Sequence, residues 1–87
     1  MRFTIEQRHL TDSAGKPIPD QSAAVSFQVF DAESAEDAVR LLIKRESGEL
    51  MGEIMKFPGF HAVATMRTTG GVFTLQVAPS SQSRIPV

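Results

Sequence analysis

Hydrophobic and polar positions alternate in the first part of the chain, which predicts two β-strands. In RFTIEQRH, residues 2–9, Phe3 and Ile5 point to one side, and the residues that point to the other side are Arg2, Thr4, Glu6 and Arg8. A period of two over this length is typical of a strand with one buried face. A second strand is predicted over AAVSFQVFD, residues 23–31, with Val25, Phe27 and Val29 on one face. The segment between the two strands is rich in Gly, Pro, Asp and Ser, which predicts a loop.

The pattern changes to a helical one after this second strand. Ser34 and Asp37 match the spacing of a capping box at a helix N-terminus. Acidic residues follow in the first turn and basic residues in the last turn, as the helix dipole favours. Gly48 is placed to end the helix in a left-handed conformation. These signals predict a helix at 35–47.

The predicted helix has an unusually wide apolar face. Its apolar residues span about 200° of the helix surface, whereas about 100° suffices to dock a helix on one surface. Leu42 lies in the middle of this arc, Leu41 and Ile43 lie on its flanks, and Arg40 lies on the polar side. One sheet covers the flanks only partly, so this width indicates a second packing partner.

Three short strands are predicted after the helix, in an antiparallel meander over residues 50–78. Gly52 interrupts the first of them, and a glycine in a strand often marks a bulge or a close approach of another backbone. Pro58-Gly59 and Thr69-Gly70-Gly71 have the composition of turns between the strands. The three strand sequences are ELMGEIMKF, FHAVATMRT and GVFTLQV.

The fold class predicted from this order is α+β: a single helix packed on a mostly antiparallel five-stranded sheet, in the order β-β-α-β-β-β. Residues 1–78 form a single domain, and residues 79–87 form an extended C-terminal tail. One helix covers at most one face of such a sheet. The last strands carry apolar residues on both faces, including Val63 and Val72 on the side opposite the other apolar positions. An uncovered apolar face is typical of a binding surface.

Length and composition favour oligomerisation. A chain of 87 residues buries only about 60–65% of the surface that its unfolded form exposes, so its core is thin. The chain has no cysteine, which excludes disulfides and thiolate metal sites as additional sources of stability. A homodimer that buries apolar surface is the remaining common solution.

Charge and hydropathy limit the classes of partner that we expect for this chain. The formal net charge is -1, and nucleic-acid binding proteins usually carry a basic excess, so a nucleic-acid partner is not expected. No apolar run is long enough to span a bilayer, and the N-terminus lacks the apolar stretch of a signal peptide. We therefore expect no membrane partner and a cytoplasmic location.

The chain contains few candidates for catalytic or metal-binding residues. His9 and His61 are the only histidines, and either could act as a metal ligand or a general base. Their spacing from other ligand residues matches no metal motif, so we expect surface histidines without a metal site. None of the serines stands in a G-x-S-x-G setting, which leaves a serine nucleophile unsupported; those considered are Ser13, Ser22 and Ser26. The sequence predicts no catalytic residue.

Other candidate features also have ordinary structural explanations. Gly70-Gly71 precedes a strand and not a helix, so a hairpin turn is favoured over a phosphate cradle. Lys16 lies in GKPIP, which is typical of a solvated loop. Methionines can line an adaptable ligand surface or fill gaps in a core; those present in the strands are Met51, Met55 and Met66. Small flavin-storage proteins of βαββ order resemble the chain only in the order of elements. The chain has no Trp or Tyr to stack on a flavin, so no cofactor is expected.

Two functions remain open from the sequence. The first is a small homo-oligomeric interaction or regulatory module without catalytic activity of its own. The second is a small-ligand-binding protein or enzyme with its pocket at the subunit interface, where His9, Asp12, His61 or Arg67 would converge. The dimer contact is expected on the sheet face bearing Val63 and Val72, or on the helix flank at Leu41.

Overall fold

A computed structural model describes residues 1–19 and 25–80 of the chain. It contains five strands and one helix in the predicted β-β-α-β-β-β order, which confirms the α+β fold class. The elements are β1 (Arg2–Thr11), β2 (Val25–Asp31), α1 (Ala35–Arg45), β3 (Glu49–Phe57), β4 (His61–Thr68) and β5 (Gly71–Pro79).

The strands form one antiparallel sheet in the order β2-β1-β5-β4-β3. β1 pairs with β2 on one side and β5 on the other, and β3, β4 and β5 form the predicted meander. The connection from β2 through α1 to β3 therefore leads from one edge of the sheet to the opposite edge. α1 lies across one face and contacts all five strands.

The core lies between α1 and this face of the sheet. Alternation in the strands places every second side chain in it, beginning with Phe3 and Ile5 in β1. The buried hydrophobic residues are Phe3, Ile5, Ala35, Ala38, Val39, Leu42, Ala62, Ala64, Met66, Leu75 and Val77. The predicted centre of the helix face is confirmed because Leu42 is fully buried, and Leu41 on the flank is 43% exposed.

The helix begins as predicted, but it ends earlier and in a different way. The Ser34 hydroxyl accepts a hydrogen bond from the Asp37 N–H at 3.1 Å. At the other end, the left-handed residue is Ser47, with φ 55, so the prediction of a left-handed Gly48 is wrong. Gly48 is needed for space, because a Cβ there would stand 2.7 Å from the side chain of Met66. Packing against β4 thus fixes the glycine.

The strand predictions need three further corrections. Phe60, predicted in the fourth strand beside Ala62, lies in the turn before β4 with φ 64 and is exposed. β1 extends past the predicted end to Thr11. Pro79, predicted in the tail, ends β5 opposite Phe3. The rest of the predicted tail, 81–87, and the first two residues of the predicted second strand lie outside the described residues.

The interruption of β3 at Gly52, predicted as a bulge or a close approach of another backbone, is an irregularity in the strand pairing. The pairing of β3 with β4 shifts between Met51 and Met55, and Gly52 has φ 74 in the interrupted segment. No atom lies within 4 Å of a Cβ built on Gly52, so the glycine is needed for its backbone conformation and not for a close approach.

No helix of the described residues is long and apolar enough to span a membrane.

Candidate interaction surface

The face of the sheet opposite α1 is not covered by any element of the described residues, and we call it the open face. Its side chains are those that alternate with the core residues. Along β1 and β5, in the middle of the sheet, it is mostly polar or small; the residues are Thr4, Glu6, Arg8, Thr74, Gln76 and Ala78. The centre of the open face is therefore not a large apolar surface.

Large apolar side chains stand on the open face at both edges of the sheet. On β2, Phe27 is 67% exposed and Val29 56% exposed, and Val25 stands beside them. On β3, Met55 is 58% and Phe57 is 45% exposed. Exposure of such side chains to water is unfavourable, so both edges are candidates for contact with a partner.

A groove runs between the two edges. It has a volume of about 410 Å³, and Phe27 and Phe57 are among its lining residues. Glu6 and His61 bring polar atoms to it, and its remaining lining residues are Thr4, Ala62, Val63, Gln76, Val77 and Ala78. An apolar pocket with a few polar groups is the usual form of a small-molecule site.

Four charged side chains of the open face form ion pairs within the chain. Arg8 contacts Glu6 at 3.2 Å, and Arg67 contacts Glu49 at 2.7 Å. These pairs are partly or largely exposed, so they contribute little to stability. They leave the open face without a strong field of either sign, which suits a protein partner better than a polyanion.

The two histidines lie on opposite faces of the sheet. His9 is on the helix side, where its ring stacks on Phe73 with centroids 4.3 Å apart and planes at 9°. Its Nε2 is 3.0 Å from the carbonyl oxygen of Gly70. His61 is on the open face and lines the groove. His9 therefore acts as a packing residue at the β1–β5 end of the sheet.

Within one chain, the four residues expected to converge in a ligand pocket do not do so. Asp12 accepts hydrogen bonds from the backbone N–H groups of Ala14 and Lys16, both at 2.9 Å, and so shapes the loop after β1. Arg67 is at the far end of β4 from His61. Of the four, only His61 lines the groove.

In the described residues, no group of three or more His, Cys, Asp and Glu side chains could hold a metal ion. Among the methionines, Met66 fills the core, whereas Met51 and Met55 are exposed on β3. The exposed pair is thus available to a partner and the buried one is not.

Sequence reasoning missed the residues that form the groove walls, Phe27 and Phe57. It identified the uncovered face by Val63 and Val72, which are only half-buried by their own chain's neighbours. The alternation of β2 does place Phe27 on one face with Val25 and Val29. Which strands are the edges is not written in that alternation, so the exposed positions could not be ranked.

Comparison with known proteins adds no relative to these observations. No family model, curated protein or solved structure matches this chain.

Proposed function

We propose that this chain is a small interaction or regulatory module that forms a homodimer, without catalytic activity of its own. The observation that supports it best is the set of large apolar side chains exposed on the open face, above all Phe27 and Val29 on β2. A chain with a thin core and no disulfides is stabilised when it buries exposed apolar side chains such as these against a second copy.

The mass in solution tests the proposal. Light scattering at micromolar concentration is expected to give about twice the chain mass of 9.5 kDa. A stable interface of this kind buries more than about 1,000 Å² in total. A mass of 9.5 kDa that does not change with concentration would refute the dimer.

Two matched substitutions separate the two surfaces expected from the sequence. Phe27→Ser removes an apolar side chain from the open face, and Leu41→Ser removes one from the helix flank; both residues are exposed, so the fold tolerates either change. We expect Phe27→Ser to weaken the dimer and Leu41→Ser to leave it unchanged. The reverse result would move the contact to the helix.

The groove supports the second function, a small-ligand site. Its wall of Phe27 and Phe57 with Glu6 and His61 nearby suits an apolar ligand that carries one polar group. Anilinonaphthalene sulfonate is a suitable fluorescent probe. Dye fluorescence that persists as the protein is concentrated through its association range would favour a ligand site. Fluorescence that falls as the dimer forms would favour self-association.

A further inference from the structure

Strand β2 is an edge of the sheet that the described residues form. In the described residues it pairs with β1 alone, and this pairing runs without interruption from Arg2 opposite Asp31 to Arg8 opposite Val25. The other side of β2 therefore presents a row of backbone groups without a partner strand. Such an edge is a template for another strand.

One hydrogen bond shows which backbone groups point outward. The N–H of Ala32 donates to the carbonyl oxygen of Met1 at 2.9 Å, next to the paired residues Arg2 and Asp31. Because backbone groups in a strand point alternately to the two sides, residues two apart share a direction. Phe30, Gln28 and Ser26 thus direct their N–H and C=O groups to β1. The outward groups belong to Val25, Phe27, Val29 and Asp31.

The opposite edge of the sheet, β3, is built differently. Its pairing is interrupted around Gly52, and charged residues such as Glu53 and Lys56 occur along it. Bulges and charges of this kind keep an edge from pairing with another chain. β2 has neither a bulge, a proline nor a charge between Val25 and Phe30. Only β2 is therefore suited to edge-to-edge contact.

We propose that β2 pairs antiparallel with β2 of a second copy, across a twofold axis at Gln28, so that two five-stranded sheets become one. This inference rests on the proposed self-association and specifies its geometry: the copies meet along β2, where Phe27 and Val29 contact the second copy, and the rest of the open face stays uncovered. With the axis at Gln28, all seven residues of β2 are paired, Val25 with Asp31 and Phe27 with Val29 of the second copy. Every outward-pointing residue then lies opposite another outward-pointing residue, as an antiparallel ladder requires.

Side chains agree with this register. Phe27 lies opposite Val29 of the second copy on the open face, and aromatic with β-branched pairs stabilise antiparallel strands. Asp31 of the second copy lies opposite Val25, whose neighbour on β1 is Arg8. Arg8 and Asp31 of the second copy therefore lie on the same face of the joined sheet, on either side of Val25. No like charges lie directly opposite each other.

A single cysteine tests the register, because the chain has none of its own. Opposite residues in a pair that is not hydrogen-bonded have Cα atoms about 4.5 Å apart, which a disulfide can bridge. Gln28→Cys is therefore expected to give a covalent dimer under mild oxidation. In Ser26→Cys, the matched control, the two cysteines would lie four residues apart along the strands, about 13 Å, and no fast cross-link is expected.

A proline tests the backbone ladder. Val29→Pro removes an outward N–H and no bond to β1, so the fold is expected to persist, as circular dichroism can verify. The loss of one N–H from each copy should raise the dissociation constant about tenfold or more. Val29→Ala also loses the side chain but keeps the N–H, and should weaken the dimer less.

The outcomes separate this geometry from the proposed function. A monomeric native chain overturns both. A native dimer in which Gln28→Cys cross-links no faster than Ser26→Cys, or in which Val29→Pro dissociates no more than Val29→Ala, overturns the β2 junction and keeps the self-association. Fast, specific cross-linking at residue 28 together with weakening by the proline establishes the junction.

Discussion

Leu42 and Arg40 lie two residues apart in α1 on opposite faces. Leu42 is fully buried in the core, whereas Arg40 is exposed and contacts Glu36 at 2.7 Å. We expect Leu42→Ala to lower the free energy of unfolding by about 2–5 kcal/mol, because it leaves a cavity. Arg40→Ala should cost no more than about 0.5 kcal/mol. Denaturant unfolding measures both, and equal losses would mean that the faces are misassigned.

Glu36 makes stability depend on pH. Hydrogen bonds from Arg40 and then Lys56, with the charge of Lys56, hold the pKa of the Glu36 carboxyl below its usual value. A carboxyl with a depressed folded-state pKa stabilises the fold above its unfolded pKa, and this contribution is lost as pH falls through the folded pKa.

Glu36→Gln should therefore lower the melting temperature slightly at neutral pH. The difference from the native chain should vanish in acid, below the pKa of Glu36. Melting curves at a series of pH values test this prediction, with Asp37→Asn as the control for a first-turn acid that makes no ion pair with the described residues. A difference that persists unchanged into acid would indicate a cause other than this charge.

The end of α1 shows how an element can be correct in kind and wrong in detail. The Gly48 N–H donates to the carbonyl of Ile43 at 2.9 Å and the Ser47 N–H to that of Lys44 at 3.2 Å, the two bonds of a Schellman motif. The motif places its left-handed residue at Ser47, where a side chain is unfavourable.

Ser47→Gly should therefore stabilise the chain by about 0.5–1 kcal/mol, since the relief of strain exceeds the added entropy of the unfolded state. Gly48→Ala provides the opposite case. Its Cβ would meet the Met66 side chain at 2.7 Å, so it should destabilise. Thermal unfolding ranks the two variants, and a stabilising Gly48→Ala would contradict the close approach to β4.

At the scale of the whole molecule, association and folding are coupled. Only folded chains associate into the dimer, and unfolded chains do not. The melting temperature of a dimeric protein therefore rises with protein concentration. We expect this dependence for the native chain and a weaker one for Val29→Pro. Calorimetry over a range of concentrations is the measurement. A melting temperature independent of concentration in the native chain would show that any association contributes nothing to stability.

The sequence by itself determined the local elements. Alternation in β1 and β2, the cap at Ser34 and the turn glycines depend on residues close in the chain, so short-range physical chemistry identifies them. The positions of Leu42 at the centre of the apolar arc of α1 and of Leu41 on its flank likewise indicated that Leu42 is buried and that Leu41 is only partly covered. The fold class followed from the order of these elements.

Tertiary structure alone decided which residues meet. That β1 lies between β2 and β5, and that β2 and β3 are the edges, depends on pairings between distant segments. These pairings put His9 and His61 on opposite faces and place Gly48 against Met66. They also bring Phe27 and Phe57 to the two sides of the groove. A period of two tells which side chains share a face, but it carries no information about the neighbouring strand. The physical reason is that the local pattern sets the face on which each side chain lies, whereas packing between distant segments sets which residues are in contact.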